Sequence, residues 1–251
     1  MKNGICHVCG KLGPLSFEHI PPRSTGNDHA VQIYSGEEVV KNSLTGSDDV
    51  RHLKWKSSQK GMGFYSLCES CNNYLGQNYV EEFNGIYGSV GNYVSTSEFK
   101  PEDLFVHFET DRLMPLAFCK QIISNFCSTT ATGSMLDCKN YLLDRENVLF
   151  PERYRLHMFV VPDRGSKRVF TGWQILFLDD GSHYSVACLC VPPFAFKLFD
   201  RDSSTKLPDL CGDMRALLQS PWGVKPRVKF DVALLQGKEL LTPLRWGMQA
   251  S

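Results

Sequence analysis

The chain of 251 residues carries 27 Lys+Arg against 27 Asp+Glu, with 42% hydrophobic and 22% charged residues. That balance excludes a disordered chain and a uniformly basic nucleic-acid binder, and the length suits one large domain or two modest ones. No apolar run reaches the roughly 18 residues of a membrane helix, and no apolar segment precedes the first cysteine, so no membrane partner and a reducing cytoplasm are expected.

Residues 1–17 read as a turn followed by a short hairpin, with Gly10 and Gly13-Pro14 as punctuation. Leu15, Phe17 and Ile20 alternate with Ser16, Glu18 and His19 as in a short strand, which Pro21-Pro22 ends. Ser24 to Asp28 is a loop. Ala30, Ile33 and Tyr34 suit a strand, and Glu37 to Leu44 has weak strand or turn character. Arg51, Lys54, Lys56 and Lys60 then gather around Trp55. Basic residues interleaved with an aromatic suit a nucleic-acid backbone with a base or sugar beside it; a solvated strand or loop is the plainer alternative.

Cys71 to Phe83 has helical spacing, and the Gly, Ser, Asn and Thr of residues 84–100 read as a loop with a domain boundary near 95. Beyond it, Leu113, Leu116, Ala117, Ile123 and Phe126 predict an amphipathic helix with Pro115 in its first turn, and Leu136–Leu143 a second. Strands are expected over Arg155–Val161, Phe170–Leu178 and Ser185–Val191, with a hairpin turn at Asp179–Ser182, another strand or a buried turn over Phe194–Phe199, and a short helix at Met214–Gln219. The expected class is α+β: residues 1–95 a zinc-stapled domain, residues 96–251 an α+β accessory domain with an antiparallel sheet. The second half carries no nucleophile motif, phosphate loop or cofactor fingerprint.

Cys6-x-x-Cys9 and Cys68-x-x-Cys71 are the strongest chemical signal. A two-residue gap lets both sulfurs of a pair meet one metal from a tight turn, and two pairs close a tetrahedral, structural zinc site. The other six cysteines lie among apolar residues and read as small buried hydrophobes. Glu18 and the Asn72 side-chain oxygen are hard ligands suited to Mg2+ or Mn2+, and His19, whose ordinary pKa lies near neutrality, suits a general base acting on water.

The run C-x-x-C … E-H-I-P-P-R-S-x-G … L-C-x-x-C-N-x-x-L-G, over roughly residues 5–80, resembles the HNH endonucleases, the ββα-metal nucleases, in their zinc-bearing branch. The resemblance implies a treble-clef, ββα-metal zinc domain that hydrolyses phosphodiesters of nucleic acid, DNA first. His19 then matches the general base, Glu18 a metal-binding acid that is more often Asp, Asn72 the last letter of the motif and a metal ligand, and Arg23 a phosphate contact. Asn73 is the alternative to Asn72. Asn42 is the best match for the middle letter, the Asn that orients the histidine loop. The resemblance also suggests restriction or anti-phage defence and a regulatory protein subunit as partner. A treble-clef zinc module that binds nucleic acid or protein without cutting is the competing expectation, and the neutral charge favours it.

Overall fold

The computed structural model describes residues 2–44, 51–99, 105–162, 168–177, 183–200 and 212–235. Near the N-terminus, β1 (Lys2–Ile5), β2 (Leu12–His19) and β5 (Gly63–Cys68) form an antiparallel sheet in the order β1-β2-β5. Between β2 and β5 the chain makes a second antiparallel ribbon, β3 (Val31–Tyr34) with β4 (Trp55–Ser58), and carries α1 (Gly36–Leu44). The weak strand expected over Glu37–Leu44 is this helix. Glu37 and Glu38 stand in its first turn, where the helix dipole favours acids, and Lys41 pairs with Glu37 one turn on at 2.6 Å.

Helix α2 runs from Glu69 to Thr96, so the loop expected over residues 84–100 is mostly helix. Its Gly85, Gly88 and Gly91 meet nothing within 4 Å. Each costs about 1 kcal/mol against alanine. Burial offsets that cost: Cys71, Leu75, Tyr79, Phe83, Ile86, Val90 and Val94 form one buried stripe at three- and four-residue intervals. Local composition pointed to a loop, and tertiary packing overrode it.

After β6 (Phe105–Thr110) comes α3 (Pro115–Thr129), which is buried all round rather than amphipathic. Of its enclosed polar residues, Lys120 donates to the carbonyls of Asp144 (2.7 Å) and Arg145 (3.0 Å), and Gln121 donates to Asn125 at 3.0 Å, while Gln121 Oε1, Asn125 Nδ2 and Ser128 Oγ meet no partner among the described residues. A 3-10 turn at Leu136–Cys138 leads into α4 (Lys139–Leu143). Strands β7 (Tyr154–Val160), β8 (Val169–Phe177), β9 (His183–Val191) and β10 (Phe194–Asp200) form an antiparallel sheet in the order β7-β10-β9-β8. The turn expected at Asp179–Ser182 lies outside the described residues. A short α5 (Arg215–Leu218) precedes β11 (Val228–Ala233), which pairs with β6.

The molecule is therefore mixed α and β with antiparallel sheets. Residues on both sides of Thr96 share one buried cluster, which runs from Cys6 to Leu234. At its centre the Phe83 ring stacks on Phe118 at 5.9 Å, and Phe118 meets Phe194 and Phe196 edge-on at 6.3 Å each. Each such ring contributes roughly 1.5–3 kcal/mol by burial. Among the described residues no helix is long and apolar enough to cross a membrane.

Candidate functional site

The first cysteine pair lies in the turn between β1 and β2. Gly10 takes φ +75°, and its amide donates to the Cys6 carbonyl at 2.9 Å, which closes the knuckle. The His7 amide donates to the Ser66 carbonyl at 2.9 Å and docks the knuckle on β5. Cys68 ends β5, and Cys71 stands in the first turn of α2, so the β5–α2 junction returns the second pair to the first. The four sulfurs all lie within 4.8 Å of one another, with Cys9 and Cys68 3.8 Å apart. A tetrahedral zinc with metal–sulfur bonds of about 2.3 Å requires sulfurs about 3.8 Å apart. A hydrogen bond from Cys71 holds the Cys6 thiol far below its ordinary value, to about 4, while the same contact pushes Cys71 far up. The four cysteines together could hold a cation, and zinc fits the donor set.

Glu18 is buried at 8% exposure, and no described residue forms a hydrogen bond or ion pair with its carboxylate. Burial pushes its pKa up to about 8. Asn72, in the first turn of α2, donates through Nδ2 to Ser16 Oγ at 2.9 Å and to the Phe17 carbonyl at 3.4 Å. Both Asn72 hydrogens thereby face β2, and Oδ1 takes part in neither bond. Asn73 is exposed. Asn72 is thereby tied to Ser16 and Phe17, the two residues before Glu18 on β2, where the register with β5 shifts.

His19 ends β2, paired with Gly63. Its ring meets Phe17 edge-on at 4.9 Å, and Phe17 in turn meets Tyr65 at 5.3 Å, so the imidazole belongs to the opposite face from Glu18. Burial lowers its pKa, the main-chain carbonyl of Lys60 raises it by accepting a hydrogen bond, and the Arg23 charge lowers it again. The Lys60 charge acts in the same direction as Arg23. The ring is therefore neutral near pH 7.

Arg23 lies in the short 3-10 turn Arg23–Thr25 just after Pro22, and both it and Lys60 are exposed. The fold brings these two cations to His19. Lys54 precedes β4 and Lys56 lies within it, opposite Ile33; both are exposed, as is Arg51. Trp55 is half exposed across from Tyr34. These groups line the β3–β4 ribbon rather than the end of β2.

Asn42 sits in α1. A tie across the segment that follows His19 is made by Asn27, a residue of the loop expected over Ser24 to Asp28. Buried at 1% exposure, Asn27 donates from Nδ2 to the carbonyls of Pro21 and Met62, each at 2.7 Å, and its Oδ1 accepts from the Met62 amide at 2.8 Å. It thus joins the segment leaving His19 to the segment entering β5. Gly61 makes the approach feasible: its φ is +79°, and a Cβ there would lie 2.3 Å from the Asn27 carbonyl oxygen. The juxtaposed Gly26-Asn27 and Gly61-Met62-Gly63 were the only local signals for this contact.

No family model, curated protein or solved structure matches the chain.

Proposed function

We propose that the protein is a metal-dependent endonuclease of the HNH type, with a treble-clef zinc platform, that hydrolyses phosphodiester bonds of nucleic acid, DNA in the first instance. The observation that carries this reading is the four-cysteine cluster at the root of α2, with Asn72 of that helix tied to Ser16 and Phe17 of β2, immediately before the buried Glu18 in the chain. A buried carboxylate without a partner is costly unless a cation meets it. The Glu18 carboxylate and Asn72 Oδ1 would hold Mg2+ or Mn2+, which when bound offsets charge on the phosphate and on the departing oxygen.

His19 would take a proton from water as the water oxygen attacks phosphorus. The bond from phosphorus to the leaving sugar oxygen breaks, and solvent protonates that oxygen. The neutral ring suits this task, and the Lys60 carbonyl fixes which ring nitrogen carries hydrogen. Arg23 and Lys60 would hold the phosphate. Because His19 and Glu18 alternate across β2, the scissile phosphate must lie over the end of the strand, where both faces are within reach. Lys54, Lys56, Arg51 and Trp55 on the ribbon would extend the contact along the nucleic acid.

A second reading is a zinc module that binds nucleic acid or a protein partner without cutting. The separation of His19 from Glu18 and the balanced charge favour it. Plasmid nicking by the full chain with Mg2+ or Mn2+, beside His19→Ala and an EDTA control, tests the choice. Cleavage that needs both metal and His19 is expected. Zinc-loaded, folded protein that neither cuts nor takes up a second divalent ion would favour the binder.

A further inference from the structure

The Asn27 amide has two hydrogens and two lone pairs, and all four are used. Three of its bonds go to Pro21 and Met62. The fourth comes from the other half of the chain: Arg168 Nη1 donates to Asn27 Oδ1 at 2.5 Å. Arg168 immediately precedes β8, whose first residue, Val169, pairs with Cys190 of β9, so its main chain is held by the large sheet. Two residues on, Phe170 meets Phe64 of β5 edge-on at 6.1 Å. The guanidinium is partly buried, with Tyr87 of α2 nearby.

We propose that Arg168 is a positioning residue for the site: it completes the hydrogen bonding of Asn27 and thereby holds the 59–63 segment against the end of β2. The catalytic part of this role rests on the nuclease reading above. Two donors, the Met62 amide and Arg168, converge on one side of the Asn27 side chain, and two carbonyls on the other. That arrangement admits one orientation of the amide. The held segment contains Lys60, whose carbonyl accepts the His19 hydrogen bond, and Gly63, the pairing partner of His19. Arg168 touches neither His19 nor Glu18 among the described contacts. It acts through Asn27, and it makes the large sheet a part of the site's framework.

The test uses the full, zinc-loaded chain. Arg168→Met keeps the stem and removes the donor, Arg168→Lys restores a donor, and Arg168→Ala is a second removal should Met misfold. Hydrogen exchange at the Met62 amide is read against that of Leu198 in the large sheet. Loss of one buried hydrogen bond should speed Met62 exchange by about tenfold while Leu198 is unmoved, with Lys close to wild type. In cleavage assays kcat should fall by about tenfold with KM unchanged, again rescued by Lys. Unchanged Met62 exchange in Met and Ala would overturn the proposal. So would a raised KM with a shallower salt dependence and unchanged exchange, since Arg168 would then be a direct phosphate contact. If the wild type cuts nothing, the nuclease reading falls, while Met62 exchange still decides whether Arg168 holds the segment.

Discussion

His7 lies between the cysteines of the first pair, and its Nδ1 donates to the carbonyl of Cys127, 120 residues away, at 2.8 Å. The other ring nitrogen accepts from the Thr132 hydroxyl at 2.9 Å. A ring nitrogen that faces a carbonyl must carry the hydrogen, so both bonds select one tautomer. One of the two residues between Cys6 and Cys9 is thus spent on docking the knuckle to the end of α3.

Replacing His7 by Phe keeps an aromatic ring in place and removes both bonds. A loss of about 1–2 kcal/mol in stability is expected. Zinc content should not change, because the four sulfurs are untouched. Chemical denaturation together with metal analysis separates the two effects.

Zinc should be stoichiometric, one ion per chain, and Cys71→Ser should abolish it. The substitution removes the sulfur that lies at the root of α2 and hydrogen-bonds Cys6. Because metal binding to such a site is coupled to folding, a strong chelator should lower the melting temperature of the wild type and leave the variant unmoved. Native mass spectrometry and thermal melts with and without chelator would check this.

Gly61→Ala should destabilise the histidine loop. The positive φ and the approach to the Asn27 carbonyl leave no room for a methyl group. A cost of about 1–3 kcal/mol is expected, along with reduced cleavage if the nuclease reading holds. Denaturant titration beside the nicking assay reads both effects. Gly85→Ala on the open face of α2 is the control, and there the change should be neutral or stabilising.

Lys120 is fully buried beneath the rings of Tyr141 and Tyr79, at 4.6 and 5.8 Å. Burial pushes its pKa down to about 8, against an opposing pull from the Asp144 carboxylate. The unfolded chain then binds more protons than the folded one between pH 8 and the ordinary lysine value. Stability contributed by this group must therefore rise with pH across that window, by up to roughly 3 kcal/mol. The difference between wild-type and Lys120→Met unfolding free energies, measured from pH 7 to 10.5, should change in that direction. A flat difference would refute it.

Much of the local structure was legible. The strands β7, β8 and β9 follow apolar and aromatic runs, β10 was left between a strand and a buried turn, and the four-cysteine cluster follows from two short spacings. Helix α2 beyond Phe83 was not legible, because three glycines with serine and asparagine outweigh a stripe of four-residue hydrophobic spacing until a core exists to receive it. The enclosure of α3 was hidden for a similar reason: an amphipathic helix leaves Lys120 to solvent, and only the loop carbonyls at Asp144 and Arg145 make its burial tolerable.

What the sequence by itself determined are features whose chemistry is local: the four cysteines in two closely spaced pairs, the adjacent Glu18 and His19 on one strand, and the periodicity of the buried faces. What only the tertiary structure decided are contacts between distant segments. Asn72 on Ser16, Asn27 across Pro21 and Met62, Arg168 on Asn27 and His7 on Cys127 each satisfy a buried polar group with a partner far along the chain. Such partners have no spacing rule. They are selected by the cost of leaving a buried donor or acceptor unmet, and that cost exists only once the chain has packed.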